Sequence, residues 1–98
     1  MAKVNKTELE QLRGIDAAAI LPRLVDYAKA DPSFVPISGE PTTRWHVTAQ
    51  GRNFELLLTG PKFYDTRQKR GGGGAIDLVM HLYQIDFKKA VDRLRGSL

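Results

Sequence analysis

From Arg44 onward, Trp45, Val47 and Ala49 alternate with Arg44, His46, Thr48 and Gln50, a strict period of two that commits the middle of the chain to a half-buried strand. Gln50-Gly51-Arg52-Asn53 then reads as a hairpin turn, because glycine beside a polar residue supplies the positive φ that tight hairpins need. Residues 54–59 form the return strand, whose Leu56-Leu57-Leu58 run predicts partial cover on both faces. Gly60-Pro61 is the next turn, and residues 62–65 make a third strand. An exposed basic and glycine-rich loop is expected over residues 66–74.

Helical spacing flanks this β segment on both sides. Thr7 followed by Glu10 fits a capping box, and Gly14 ends that short helix. Asp16 caps a second helix, in which Ile20, Leu21, Leu24, Val25 and Ala28 recur as one apolar stripe. Pro22 lies inside it and predicts a kink or a fresh helix start, since it lacks an amide hydrogen and crowds the preceding turn. Asp31-Pro32 closes the segment, and Pro32, Pro36, Gly39 and Pro41 make residues 33–41 an extended, turn-rich arm. After the loop, Ile76, Val79, Met80 and Tyr83 share a helix face that Leu78 and Leu82 broaden. A break follows at 84–86, then Asp86 caps a last helix with Phe87, Ala90, Val91 and Leu94 as its stripe. The expected fold is α+β: a small antiparallel three-stranded sheet flanked by N- and C-terminal helices. A chain of 98 residues holds one core, so residues 1–98 are a single domain, with a helical N-terminal segment at 1–31.

Charge narrows the function. Residues 1–43 carry a net −1, residues 44–70 a net +4 and residues 71–98 a net +1, so the whole excess sits in the β segment. A local positive field of this kind attracts polyanions. The chain has no cysteine, which removes disulfides and cysteine-based zinc sites. No stretch has the length and apolarity of a signal peptide or a membrane span, and a cytoplasmic protein that does not enter membranes is expected.

Residues 62–91 hold the densest pattern: a strand ending in tyrosine, a basic loop, four glycines and a helix start. Gly72 and Gly73 would let the backbone approach a phosphate closely, and the helix behind them presents free amide hydrogens. The same glycines read equally well as a connector. The run is no Walker loop, because no Lys-Ser/Thr pair follows the last glycine. Asp77, one turn into the helix, is expected to meet the helix start or the loop amides as a structural group.

The string Phe63-Tyr64, a ten-residue loop ending in glycines, Ala75-Ile76-Asp77-Leu78-Val79-Met80 and then Asp86-Phe87-Lys88-Lys89-Ala90-Val91 resembles the closing half of the N-terminal zinc ribbon of bacterial and mobile-element primases. The metal ligands depart from that pattern. Asp65 stands where the first cysteine of the loop would fall, Gln68 or Lys69 lies near the second, and no Cys-x-x-His pair occurs between Val35 and Trp45. His46 and His81 alone cannot build a tetrahedral site, so neither zinc nor any other cofactor is expected, and both histidines are read as surface or boundary residues. The chain is more similar still to cysteine-free versions of the module at the front of primase-like proteins of plasmids, phages and integrative elements. That similarity covers residues 44–94, a primase zinc-ribbon-like core. It implies template DNA recognition ahead of a separate catalytic region.

The residues expected to touch nucleic acid are Arg44, Trp45, His46, Arg52, Lys62, Tyr64, Arg67, Lys69 and Arg70, together with Gly72 and Gly73. Cations would hold phosphates while rings stack on bases, which suits single-stranded DNA. Trp45, the lone tryptophan, serves either as core or as platform. No paired carboxylates and no serine–histidine arrangement stand out, so the expected role is non-catalytic. The rival reading is a protein-interaction module docking a polymerase, a helicase or a primase catalytic subunit. A third reading uses the glycine loop for free nucleotides.

Overall fold

A computed structural model describes residues 4–36 and 41–98, so part of the extended arm expected at 33–41 lies outside the described residues. The alternating segment becomes β2 (Thr42–Ala49), preceded by β1 (Tyr27–Ala30) and followed by β3 (Arg52–Thr59), β4 (Lys62–Asp65) and β5 (Arg70–Gly72). These form one antiparallel sheet in the order β1-β2-β3-β4-β5, a meander in which each strand lies beside its neighbour in sequence. Among the described residues four helices accompany it: α1 (Lys6–Arg13), α2 (Ala17–Leu24), α3 (Ala75–Tyr83) and α4 (Phe87–Ser97). The α+β class therefore holds, but the sheet has five strands where three were expected.

Both additional strands replace something else. The apolar stripe expected to continue through Ala28 stops at Leu24, because Val25 turns extended (φ −122°, ψ 166°) and the following residues pair with β2. Pro22 already removes one hydrogen-bond donor from the last turn of α2, which makes that turn a cheap place to stop. At the other end, a third of the expected loop is β5, with Gly71 opposite Tyr64 and Gly72 opposite Phe63. Residues 66–69 remain as a turn before β5, and Gly73 and Gly74 lead from it into α3.

The turns carry out what their residues allow. Gln50 (φ 51°) and Gly51 (φ 73°) both take positive φ, the requirement of a two-residue hairpin turn whose twist matches its strands. Asp16 and Asp86 cap their helices as expected, each carboxylate accepting from the amide three residues on. The first helix differs: Asn5, not Thr7, is the cap, its Oδ1 accepting from Glu8 N at 2.8 Å.

One side of the sheet meets the helices. Val47, Ala49, Phe54, Leu56, Leu58 and Phe63 project into a core completed by Leu21, Leu78, Leu82, Val91 and Leu94. Tyr83 reaches across this layer to donate its hydroxyl proton to the carbonyl of Leu24, while the Arg93 guanidinium lies 3.8 Å from its ring centre. The other side of the sheet carries the alternate residues, and their exposure sets up the site.

Candidate nucleic-acid interface

Because side chains alternate across a strand and antiparallel partners face the same way, the register lays out the open face. It presents Tyr27 and Lys29 from β1, Arg44, His46 and Thr48 from β2, Asn53, Glu55, Leu57 and Thr59 from β3, and Lys62 and Tyr64 from β4. Tyr27 is 53% exposed and Tyr64 43% exposed, high values for rings held in a sheet. Leu57 lies half-buried between Arg44 and Tyr64 in register, so the triple-leucine run is buried on the helix side and partly covered on the open one.

Two shallow depressions mark this face. Lys62, Tyr64, Leu57, Thr42 and Thr59 border one of about 340 Å³. Tyr27, His46, Thr48, Asn53 and Arg67 border another of about 240 Å³. Each pairs a tyrosine ring with a cationic side chain. Four registered positions along the strands and three strand spacings separate the two rings, about 19 Å on the diagonal.

Glu55 organises the cations between them. Its Oε2 accepts from Arg44 at 2.5 Å and its Oε1 from Arg67 at 3.2 Å, with His46 Nδ1 at 3.7 Å. The Arg44 hydrogen bond, followed by that of Arg67, holds the Glu55 carboxyl below its ordinary value of 4.5. A carboxylate shared by two guanidiniums stops them from repelling each other and aims both along the same face. Thr42 with Thr59 (2.7 Å) and Thr48 with Asn53 (2.9 Å) complete a polar lattice across β2 and β3.

The structure divides the residues singled out from sequence. Arg44, His46, Lys62, Tyr64 and Arg67 come together on the open face. Trp45 does not: it is opposite Leu56 on the helix side, packs against the core and donates its indole N–H to Thr43 Oγ1 at 2.8 Å. Arg52 is also on the helix side, its guanidinium 5.1 Å from the Phe54 ring centre. Arg70 points with Asp65, away from the open face, and Lys69 occupies the loop tip with φ 56°.

The glycines have steric duties. A Cβ on Gly71 would come within 2.8 Å of the Phe63 carbonyl oxygen, and one on Gly72 within 2.6 Å of the Phe63 ring and 2.7 Å of Asp77 Cβ. All three distances are closer than real side chains approach, so β5 can lie against β4 and α3 only with glycine at both positions. The amide of Gly73 donates to Asp77 Oδ2 at 3.3 Å, the structural role expected for that carboxylate. An internal anion thus already meets the glycine turn.

His81 corrects its assignment as a surface or boundary residue. It is buried, with Nε2 2.7 Å from Oδ2 of Asp65, itself fully buried, and with the Phe63 and Phe54 rings packed around it. Asp65 Oδ1 accepts from the amides of Arg67 (2.9 Å) and Gln68 (3.0 Å), so one carboxylate ties α3 to the β4–β5 loop. Sixteen residues separate the pair, and only the fold brings them together. Other open-face residues that the sequence reading missed are Tyr27, Lys29 and Glu55. For the first two the signal was present, since Tyr27-Ala28-Lys29-Ala30 alternates like a strand.

Among the described residues no group of three or more His, Asp or Glu side chains converges as a metal would require, and no helix is long and apolar enough to cross a membrane. No family model matches the chain, and no solved structure matches it. A 65 kDa protein of Zymomonas mobilis subsp. mobilis is 46% identical over 41 residues, a stretch that is 42% of this chain and 7% of that relative's own length.

Proposed function

We propose that the open face of the sheet binds single-stranded DNA, and that the chain serves as a non-catalytic accessory or N-terminal module of a primase-like replication or transfer protein from a plasmid, phage or integrative element. The observation that carries the binding reading is the pair of ring-and-cation depressions on a single open face, Tyr64 with Lys62 and Tyr27 with His46 and Arg67. Unstacked bases lie on exposed rings, each stack contributing about 1–3 kcal/mol, while cations follow the phosphates between them. The cations on this face accept phosphate without reading bases, so sequence preference is slight. The primase assignment rests on the resemblance of residues 44–94, with Asp65 now engaging His81 and two loop amides at the place where that family carries a metal-binding cysteine.

Titration of a fluorescent single-stranded oligonucleotide, followed by anisotropy at low and high salt, tests this. Saturable binding that weakens steeply with salt, and that Tyr27→Ala with Tyr64→Ala abolishes, is expected. Absence of saturable binding at low salt refutes the reading and leaves the docking module as the alternative.

A further inference from the structure

A larger cavity, about 540 Å³, lies on the opposite side of the sheet, between the β4–β5 ribbon and α3. Phe63, Met80 and Ile85 give it apolar walls, and Arg70 stands at its rim as a cation. Its volume falls within the range of small-molecule sites. The polar groups are what set its chemistry.

His81 lines this cavity with a side chain only 7% exposed. An ionised carboxylate only accepts, and in the tautomer that gives Asp65 Oδ2 its proton from Nε2, Nδ1 is an acceptor. Among the described residues no group hydrogen-bonds to Nδ1, and His81 is part of the cavity lining. Asp77 supplies further acceptor capacity at the same wall, since among the described residues only its Oδ2 is engaged, by Gly73 N. Two acceptors beside apolar walls, with one guanidinium at the rim, match a flat ring bearing an exocyclic amine and a linked phosphate.

We propose that this cavity binds a nucleoside monophosphate, with the base against Met80 and Ile85, its amino group towards His81 Nδ1 and Asp77, and its phosphate on Arg70. Amino-bearing bases (adenine, cytosine and guanine) are preferred over thymine, which has no exocyclic amine to give. The site is independent of the open face: it lies on the other side of the sheet and shares no cation with it.

Nitrogen-15 NMR on the whole chain tests the assignment with dAMP, dTMP, deoxyadenosine and inorganic phosphate as probes. Saturable shifts at Gly71, Asp77, Gln84 and the His81 ring nitrogens are expected with dAMP at millimolar concentration. Affinity should be about tenfold weaker for dTMP and for the nucleoside alone, and weaker still for phosphate alone, which loses every contact of the base. Arg70→Gln, at an exposed position, should weaken dAMP to the level of deoxyadenosine, and Met80→Trp should abolish binding by filling the space. Tyr64→Ala should leave dAMP affinity unchanged while lowering oligonucleotide affinity, which separates failure of this site from failure of the open face. Absence of saturable shifts at the cavity residues, dAMP binding no tighter than phosphate, or equal binding to the Arg70→Gln protein would overturn the proposal.

Discussion

The two sides of this sheet are made from the same strands and obey opposite rules. On β3, Leu56 and Leu58 are sealed under the helices, whereas Glu55 and Leu57, one residue away, belong to an open face with two tyrosines and four cations. The helix side also contains polar groups, and its buried ones are held by named partners: Asp65 by His81 and two loop amides, Tyr83 by the Leu24 carbonyl, with half-buried Trp45 bonded to Thr43. On the open face the rings have been left without cover. The difference shows that burial, not residue type, decides which aromatic residues in a basic segment can serve a ligand. Trp45 and Tyr64 look alike as candidates in sequence, and the pleat sends them to opposite sides.

The largest effects should come from breaking the covered side. Asp65→Ala leaves the His81 N–H and two loop amides without their acceptor, costing about 3 kcal/mol or more, read as a fall in the urea midpoint with a loosened β4–β5 loop. Leu56→Ala should cost about 2–5 kcal/mol, while Leu57→Ala, its neighbour on the open face, should cost clearly less. Equal losses for the two leucines would mean that the open face is covered in solution.

A second contrast concerns binding. Tyr64→Ala should lose about 1–3 kcal/mol of single-stranded DNA affinity with little change in stability. Trp45→Ala should do the reverse, lowering the melting temperature and sparing affinity.

Smaller again is the charge term. Arg67→Gln should flatten the salt dependence of binding by about 0.7 in log–log slope, one phosphate contact on a single strand. Arg70→Gln should leave that slope intact, because Arg70 points to the helix side. Glu55→Gln should strengthen binding a few-fold by releasing Arg44 and Arg67.

The smallest effect is a pH dependence of stability. The folded Glu55 carboxyl has its proton affinity lowered by Arg44 and then Arg67, so its contribution is fully present above the ordinary value of 4.5 and fades as the pH falls through the lowered folded value. Urea midpoints taken from neutral pH down to about pH 3 should fall slightly further for the native chain than for Glu55→Gln, because exposed ion pairs are weak.

Much of this architecture was readable from period and punctuation. The β2–β3 hairpin, β4 and the two C-terminal helices followed from alternation, tight-turn residues and apolar stripes, because those local signals agree with the final packing. The misses arose where a local pattern had two solutions. Ala28 fits a helical stripe as well as a strand, and only pairing with β2 decided between them. Gly71 and Gly72 look like a flexible loop until the closeness of Phe63 explains why a strand there must be glycine. Half of the open face was identified through Arg44, His46, Lys62, Tyr64 and Arg67. Tyr27 and Lys29 were lost with β1, and the contact between Asp65 and His81 leaves no signature in sequence at all.

Mapping backbone amide shifts while adding a short single-stranded oligonucleotide tests the central claim most directly. The account expects saturable, salt-sensitive shifts at Tyr27, His46, Leu57 and Tyr64, with the outer surfaces of α1 and α4 unchanged. Shifts confined to those helices, or none at the two tyrosine strands, would contradict it.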